Sequence, residues 1–140
     1  MEDFDLVFDP LPGDDLSRFV SDNVVNVNFA RTGLSVWHPV GFFVKSRRGE
    51  VMGGLTGHVW GGWLHVGFLW VSESIRRQGH GARLLDAAET MARERGAVGA
   101  TLETFSFQAP NFYRSHGYTV CGQIDGYPPG HTKFFLRKDL

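Results

Sequence analysis

The stretch from Trp63 to Leu85, WLHVGFLWVSESIRRQGHGARLL, restricts the fold more than any other part of the chain, because its hydrophobic period changes part-way along. Up to Val71 the residues read as a strand. Leu64, Val66, Phe68 and Trp70 are expected on one face, and His65, Gly67, Leu69 and Val71 on the other. From Gly79 the spacing becomes helical: Leu84, Leu85, Ala88, Met91 and Ala92 share one side, Arg83, Asp86, Glu89 and Arg93 take the other, and Gly96 can end the helix. The loop between them contains Arg76-Arg77-Gln78-Gly79-His80-Gly81. A helix start presents unpaired N–H groups and the positive end of its dipole, and glycines there remove Cβ atoms that would keep a pyrophosphate away from the backbone. The loop therefore reads as a phosphate cradle. The plainer alternative is that Gly79 and Gly81 only make a tight turn.

The flanking sequence places this unit in an α/β protein. After DLVFDPLPGDD, Asp14 or Asp15 is expected to cap a helix through Leu16, Phe19, Val20 and Val24 that ends by Gly33. Three antiparallel strands follow, turning at Arg48-Gly49 and at Gly61-Gly62, a two-residue hairpin signal. Beyond the central helix, AVGATLETFSF predicts a strand, Pro110 opens a short helix ending at His116-Gly117, and YTVCGQI and HTKFFLRK supply two more strands. The expectation is one domain over residues 1–140, a mixed and mostly antiparallel sheet flanked by helices.

Composition removes several function classes. Fourteen basic and fifteen acidic side chains leave a net charge of −1, so nothing favours wholesale binding to nucleic acid or acidic lipid. No apolar run reaches the roughly 18 residues of a membrane helix, and the start MEDFD is acidic where a secretory signal is basic, so a cytoplasmic location is expected. Cys121, the single cysteine, is expected to be a small buried hydrophobe. The histidines show no metal-ligand spacing, so no metal is expected.

The loop fails two nucleotide patterns: no Lys-Ser/Thr follows it as in a P-loop, and Leu84 stands where a dinucleotide fingerprint needs a third glycine. It does match R-x-x-G-x-G. Here the chain resembles the GNAT superfamily of acetyl-CoA-dependent N-acetyltransferases, through Val71 and Arg76 to Leu85 and again through APNFYRSHGY, with Ala109, Phe112, Tyr113, Gly117 and Tyr118. The likeness covers most of the chain and implies a GNAT-like fold with acetyl-CoA as acyl donor. It implies donor contacts from Leu69, Trp70 and Val71 on the strand, from Arg76, Arg77, Gln78, Gly79, His80, Gly81 and Ala82 in the loop, and from Ser106, where many relatives place an asparagine against the pantetheine arm. The Leu69 backbone N–H takes the position that polarises the thioester carbonyl in that family.

Forming an amide from a thioester requires a neutral amine, a donor for the developing oxyanion and a proton for the departing thiolate. His65 lies eleven residues before Arg76, where the histone acetyltransferase branch of the superfamily carries a glutamate base. A histidine suits that task because its reference pKa of about 6.5 lets it accept a proton near neutrality. A core histidine with a backbone partner is the alternative. Glu103 is a rival base, and it could equally orient His65 or hold the acceptor amine by charge. Glu73 sits beside the phosphate loop and is expected to be solvated. The resemblance puts the Tyr113 hydroxyl beside the sulfur of coenzyme A as proton donor. Trp37, Trp60, Trp63 and Trp70 could line an apolar acceptor site. The reading is direct transfer of an acetyl group to a primary amine, preferably of a small molecule, in a ternary complex. A protein amine (lysine or N-terminal) and a non-catalytic acyl-CoA sensor are the alternatives, and a homodimer remains open.

Overall fold

The computed structural model describes residues 2–140, which group into two units divided between Ser35 and Val36. The first contains helix α1 (Asp14–Thr32). Gly13, and neither aspartate, is its N-cap; Asp14 and Asp15 instead occupy the first turn, where their charge meets the positive end of the helix dipole. The helix ends as predicted, with Gly33 left-handed at φ 71° and its N–H donated to the Phe29 carbonyl at 2.9 Å.

The second unit runs β1 (His38–Lys45), β2 (Val51–Trp60), β3 (Trp63–Val71), a single 3₁₀ turn (Glu73–Ile75), α2 (His80–Glu94), β4 (Gly99–Phe105), α3 (Pro110–Ser115), β5 (Thr119–Asp125) and β6 (Thr132–Asp139). The six strands form one sheet in the order β1-β2-β3-β4-β6-β5. Only β3 and β4 run parallel, because α2 carries the chain back between them. The other neighbours are antiparallel, as the alternation and turn signals predict. The β2–β3 hairpin turns on Gly61 and Gly62 at φ 61° and 80°, the positive pair a tight hairpin turn needs.

One face of this sheet carries the core. Leu55, Leu64, Val66, Leu102 and Leu136 pack with Leu84, Leu85, Ala88 and Ala92 of α2 and with Tyr113 and Tyr118. The small residues of α2 let it lie close to the strands, and burying each leucine stabilises by roughly 1.5–3 kcal/mol. Glu89 belongs to this buried face, which corrects its expected place on the solvent side. At 3% exposure its carboxylate accepts hydrogen bonds from Tyr118 Oη at 3.0 Å and Lys138 Nζ at 2.6 Å, so it is buried with partners.

Cys121 also departs from expectation. It is exposed, because it is the extra residue of a bulge between Val120 and Gly122, and its thiol points to the Phe135 carbonyl at 3.4 Å.

Candidate active site

The chemistry-bearing segments meet where the two parallel strands part. β3 and β4 pair from Trp63 with Gly99 to Val66 with Leu102, and no further pair forms beyond these. At the same place β3 is bulged against β2: Thr56 pairs with Phe68 and Gly57 with Val66, leaving Gly67 as the extra residue. Gly57 is required there, because a Cβ on it would overlap the His65 carbonyl oxygen. The bulge also corrects the alternation read from sequence. Leu64 and Val66 are buried, but past Gly67 it is Leu69 and Val71 that pack against the core, while Phe68 and Trp70 are exposed.

The parting opens a groove of about 1560 Å³ between β3, the glycine loop, the end of β4 and α3. Leu69, Trp70, Val71, Arg76, Arg77, Gly79, His80, Gly81 and Ala82 all line it. The loop has the geometry of a cradle: Arg77 and Gly79 are left-handed at φ 63° and 82°, and Gly79 caps α2. Arg76 is anchored by its Nε, which donates to the Val71 carbonyl at 3.0 Å. Gly81 lets α2 approach α3, since a Cβ on it would stand 3.3 Å from the Phe112 ring. His80 Nδ1 is buried without a hydrogen-bond partner among the described residues, a polar atom left over at the loop-to-helix junction. Left-handed loop, helix start and unpaired imidazole nitrogen together fit an anionic, hydrogen-bonding group such as a pyrophosphate.

Two expected donor contacts lie off the groove wall. Gln78 is exposed and does not line it. Ser106 is tied to the start of β6, donating its N–H to the Thr132 carbonyl at 2.8 Å and accepting the Thr132 N–H on its hydroxyl at 3.0 Å.

His65, Glu103 and Tyr113 all face the groove. Tyr113 is only 8% exposed, and burial pushes its phenol above the usual tyrosine range, so it keeps its proton at neutral pH and can donate it. Glu103 is held by Lys133 at 2.9 Å, and this hydrogen bond raises the lysine above its ordinary range. His65 has no ion-pair partner among the described residues, and its ring lies 5.2 Å from that of His58. Glu73, in the 3₁₀ turn, is exposed and off the groove. Of the four tryptophans, only Trp70 lines the groove.

The sequence model of the acetyltransferase (GNAT) family matches residues 14–118. The chain belongs to the GNAT acetyltransferase family. This acetyltransferase is 50% identical over 99 residues to the blasticidin-S acetyltransferase of Streptomyces morookaense, covering 70% of this chain and 73% of that protein. It is 35% identical over 121 residues to an acetyltransferase of Agrobacterium fabrum, covering 86% and 88% of the two chains. Among solved structures, that of a protein from Agrobacterium tumefaciens assigned as an acetyltransferase superposes with a TM-score of 0.91 at 31% identity, over 98% of this chain and all of the other.

Several residues in or beside the acetyltransferase's groove escape sequence reasoning. His58 pairs directly with His65 across the hairpin, and Trp37 stacks on it at 4.0 Å. Burial and the neighbouring His65 both push His58 below the usual histidine range. Counting back from Gly61-Gly62 brings 58 opposite 65, so the signal was present in the hairpin register. Gln108 caps the end of β4 by accepting the Phe105 N–H at 3.0 Å, and it lines the groove beside Asn111. Neither carries a sequence signal that would mark it.

Proposed function

We propose that this acetyltransferase transfers the acetyl group of acetyl-CoA to a primary amine of a small molecule by direct attack in a ternary complex. The observation that carries the reading is that His65 and Tyr113 face one groove from its two walls, at the place where β3 and β4 part and next to the glycine loop. The 50% identity to a blasticidin-S acetyltransferase supports an acceptor of small-molecule size.

In this reading the loop from Arg76 to Ala82 holds the pyrophosphate, with Arg76 and Arg77 supplying charge and the start of α2 its N–H groups. Acetyl-CoA supplies an activated acyl carbon, at which a C–N bond forms as the C–S bond breaks. His65 takes the proton released by the amine, directly or through a water. The Leu69 N–H, on the stretch of β3 that β4 no longer pairs, donates to the carbonyl oxygen as it gains charge. Tyr113 gives its proton to the departing thiolate. Glu103, already paired with Lys133, binds the acceptor and does not serve as the base.

The test compares Tyr113→Phe and His65→Gln with the wild type by stopped assay of free coenzyme A, alongside acetyl-CoA affinity by calorimetry. Tyr113→Phe is expected to keep acetyl-CoA affinity and to lower kcat by about 100- to 10,000-fold. His65→Gln is expected to remove the acidic limb of the pH–rate profile. Wild-type kcat in Tyr113→Phe, or an unchanged limb in His65→Gln, would reduce the residue concerned to a packing role.

A further inference from the structure

The sheet face opposite α2 carries a group of aromatic side chains that the transfer chemistry leaves unexplained. Phe105 and Phe107, which line the groove at the end of β4, stack at 5.2 Å with their planes 11° apart. Tyr127 joins Phe105 at 5.6 Å, and His131 meets Phe107 edge-on at 4.9 Å, both from the turn between β5 and β6. Lys133 Nζ stands 5.7, 5.0 and 5.4 Å from the centres of Phe105, Tyr127 and Phe135 while it pairs with Glu103. The lysine charge of this group is therefore met by Glu103, and what the rings add to the groove is flat apolar surface.

That surface is kept open. Phe107 is 55% and Tyr127 47% exposed, although each touches other rings. The two segments that bear them are fastened to each other by the paired hydrogen bonds between Ser106 and Thr132, and Thr132 is further held by its hydroxyl on Asp125 at 3.1 Å. Leaving two large rings half-exposed forgoes burial free energy, and rings stacked and fixed before any ligand arrives lose little freedom when one binds. An exposed aromatic surface continuous with a groove that holds His65 fits a flat partner.

We propose that the amine acceptor carries an aromatic or heteroaromatic ring, and that Phe107 and Tyr127 select it by stacking while its amine reaches toward His65. This rests on the transfer reaction proposed above, and it narrows the acceptor from any small amine to a ring-bearing one. Phe107 and Tyr127 are specificity residues in this scheme and take no part in proton transfer.

The experiment uses two probe amines of matched length, 2-phenylethylamine and 2-cyclohexylethylamine, which share similar bulk and differ in flatness. The readout is the ratio of their kcat/KM values with the full chain, and of their dissociation constants from the coenzyme A-bound protein by calorimetry. The wild type is expected to favour the flat ring about tenfold in both ratios, with the ratio falling toward one in Phe107→Leu and in Tyr127→Leu. Phe43→Leu, on β1 and away from the groove, is expected to keep the wild-type ratio, and thermal melts verify that each variant folds. A wild-type ratio near one, or a preference that survives both leucine variants, overturns the proposal. Ring-selective binding without release of free coenzyme A from either amine would instead sink the transfer reaction and leave the aromatic site standing.

Discussion

Replacing Gly57 with alanine tests the bulge on which the groove depends. The added methyl would overlap the His65 carbonyl oxygen and lie 3.1 Å from the His65 carbonyl carbon and 3.2 Å from the Gly67 nitrogen. All three are backbone atoms, so no side-chain rotation relieves the clash and β2 and β3 must separate. Overpacking of this kind costs roughly 1–3 kcal/mol. Loss of one or two ladder hydrogen bonds adds about 1 kcal/mol each. At roughly 2–4 °C per kcal/mol for a chain of this size, the expected drop in Tm is about 10 °C. Gly122→Ala is the matched control, because its Cβ would meet only the Phe135 ring at 3.7 Å, an ordinary contact; it is expected to stay within about 0.5 kcal/mol of the wild type. Differential scanning calorimetry measures both. Since the bulge sets the direction of His65 and of the strand after it, Gly57→Ala is also expected to lower kcat more than acetyl-CoA affinity. A Gly57→Ala protein that melts with the wild type would refute the packing of β2 on β3 described above.

Two further outcomes follow from buried ionisable groups. Glu89→Gln leaves the Lys138 ammonium facing a neutral amide beneath α2, and a loss of about 3 kcal/mol is expected in urea unfolding, against no measurable change for Glu94→Gln on the exposed side of the helix. His58 is held below the ordinary histidine range by burial and by His65, so its folded pKa lies under its unfolded value and the unfolded chain binds the proton first. Stability is therefore expected to decline as pH falls below about 6.5 toward the folded pKa of His58, and His58→Gln should flatten that decline in melts recorded across the range.

The order of elements, the hairpin at Gly61-Gly62, the span of α2 and the cradle loop were legible because each follows from contacts between near neighbours in the chain. Periodicity reports which side of a strand or helix is apolar, and glycine and proline mark where the chain turns. Reasoning failed where a single residue altered the register. One extra residue at Gly67 exchanged the faces of Phe68, Leu69, Trp70 and Val71, and one at Cys121 turned the thiol outward. A period-two rule has no means of counting an inserted residue. Glu89 was misplaced for another reason: its burial depends on Tyr118 and Lys138, 29 and 49 residues further along, and a carboxylate looks solvent-bound until its partners are known.

The sequence by itself determined that a strand, a glycine loop and an amphipathic helix follow one another, since those are properties of local backbone preference and side-chain period. It also determined which residue types stand at the family's motif positions, including His65 and Tyr113. Only the tertiary structure decided that β3 and β4 stop pairing after Val66 and Leu102, that Lys133 occupies Glu103, and that Phe107 and Tyr127 both come against Phe105 at the edge of the groove. Those outcomes depend on contacts between residues up to 36 positions apart, whose closure is set by how the whole sheet pairs and packs and not by any local signal.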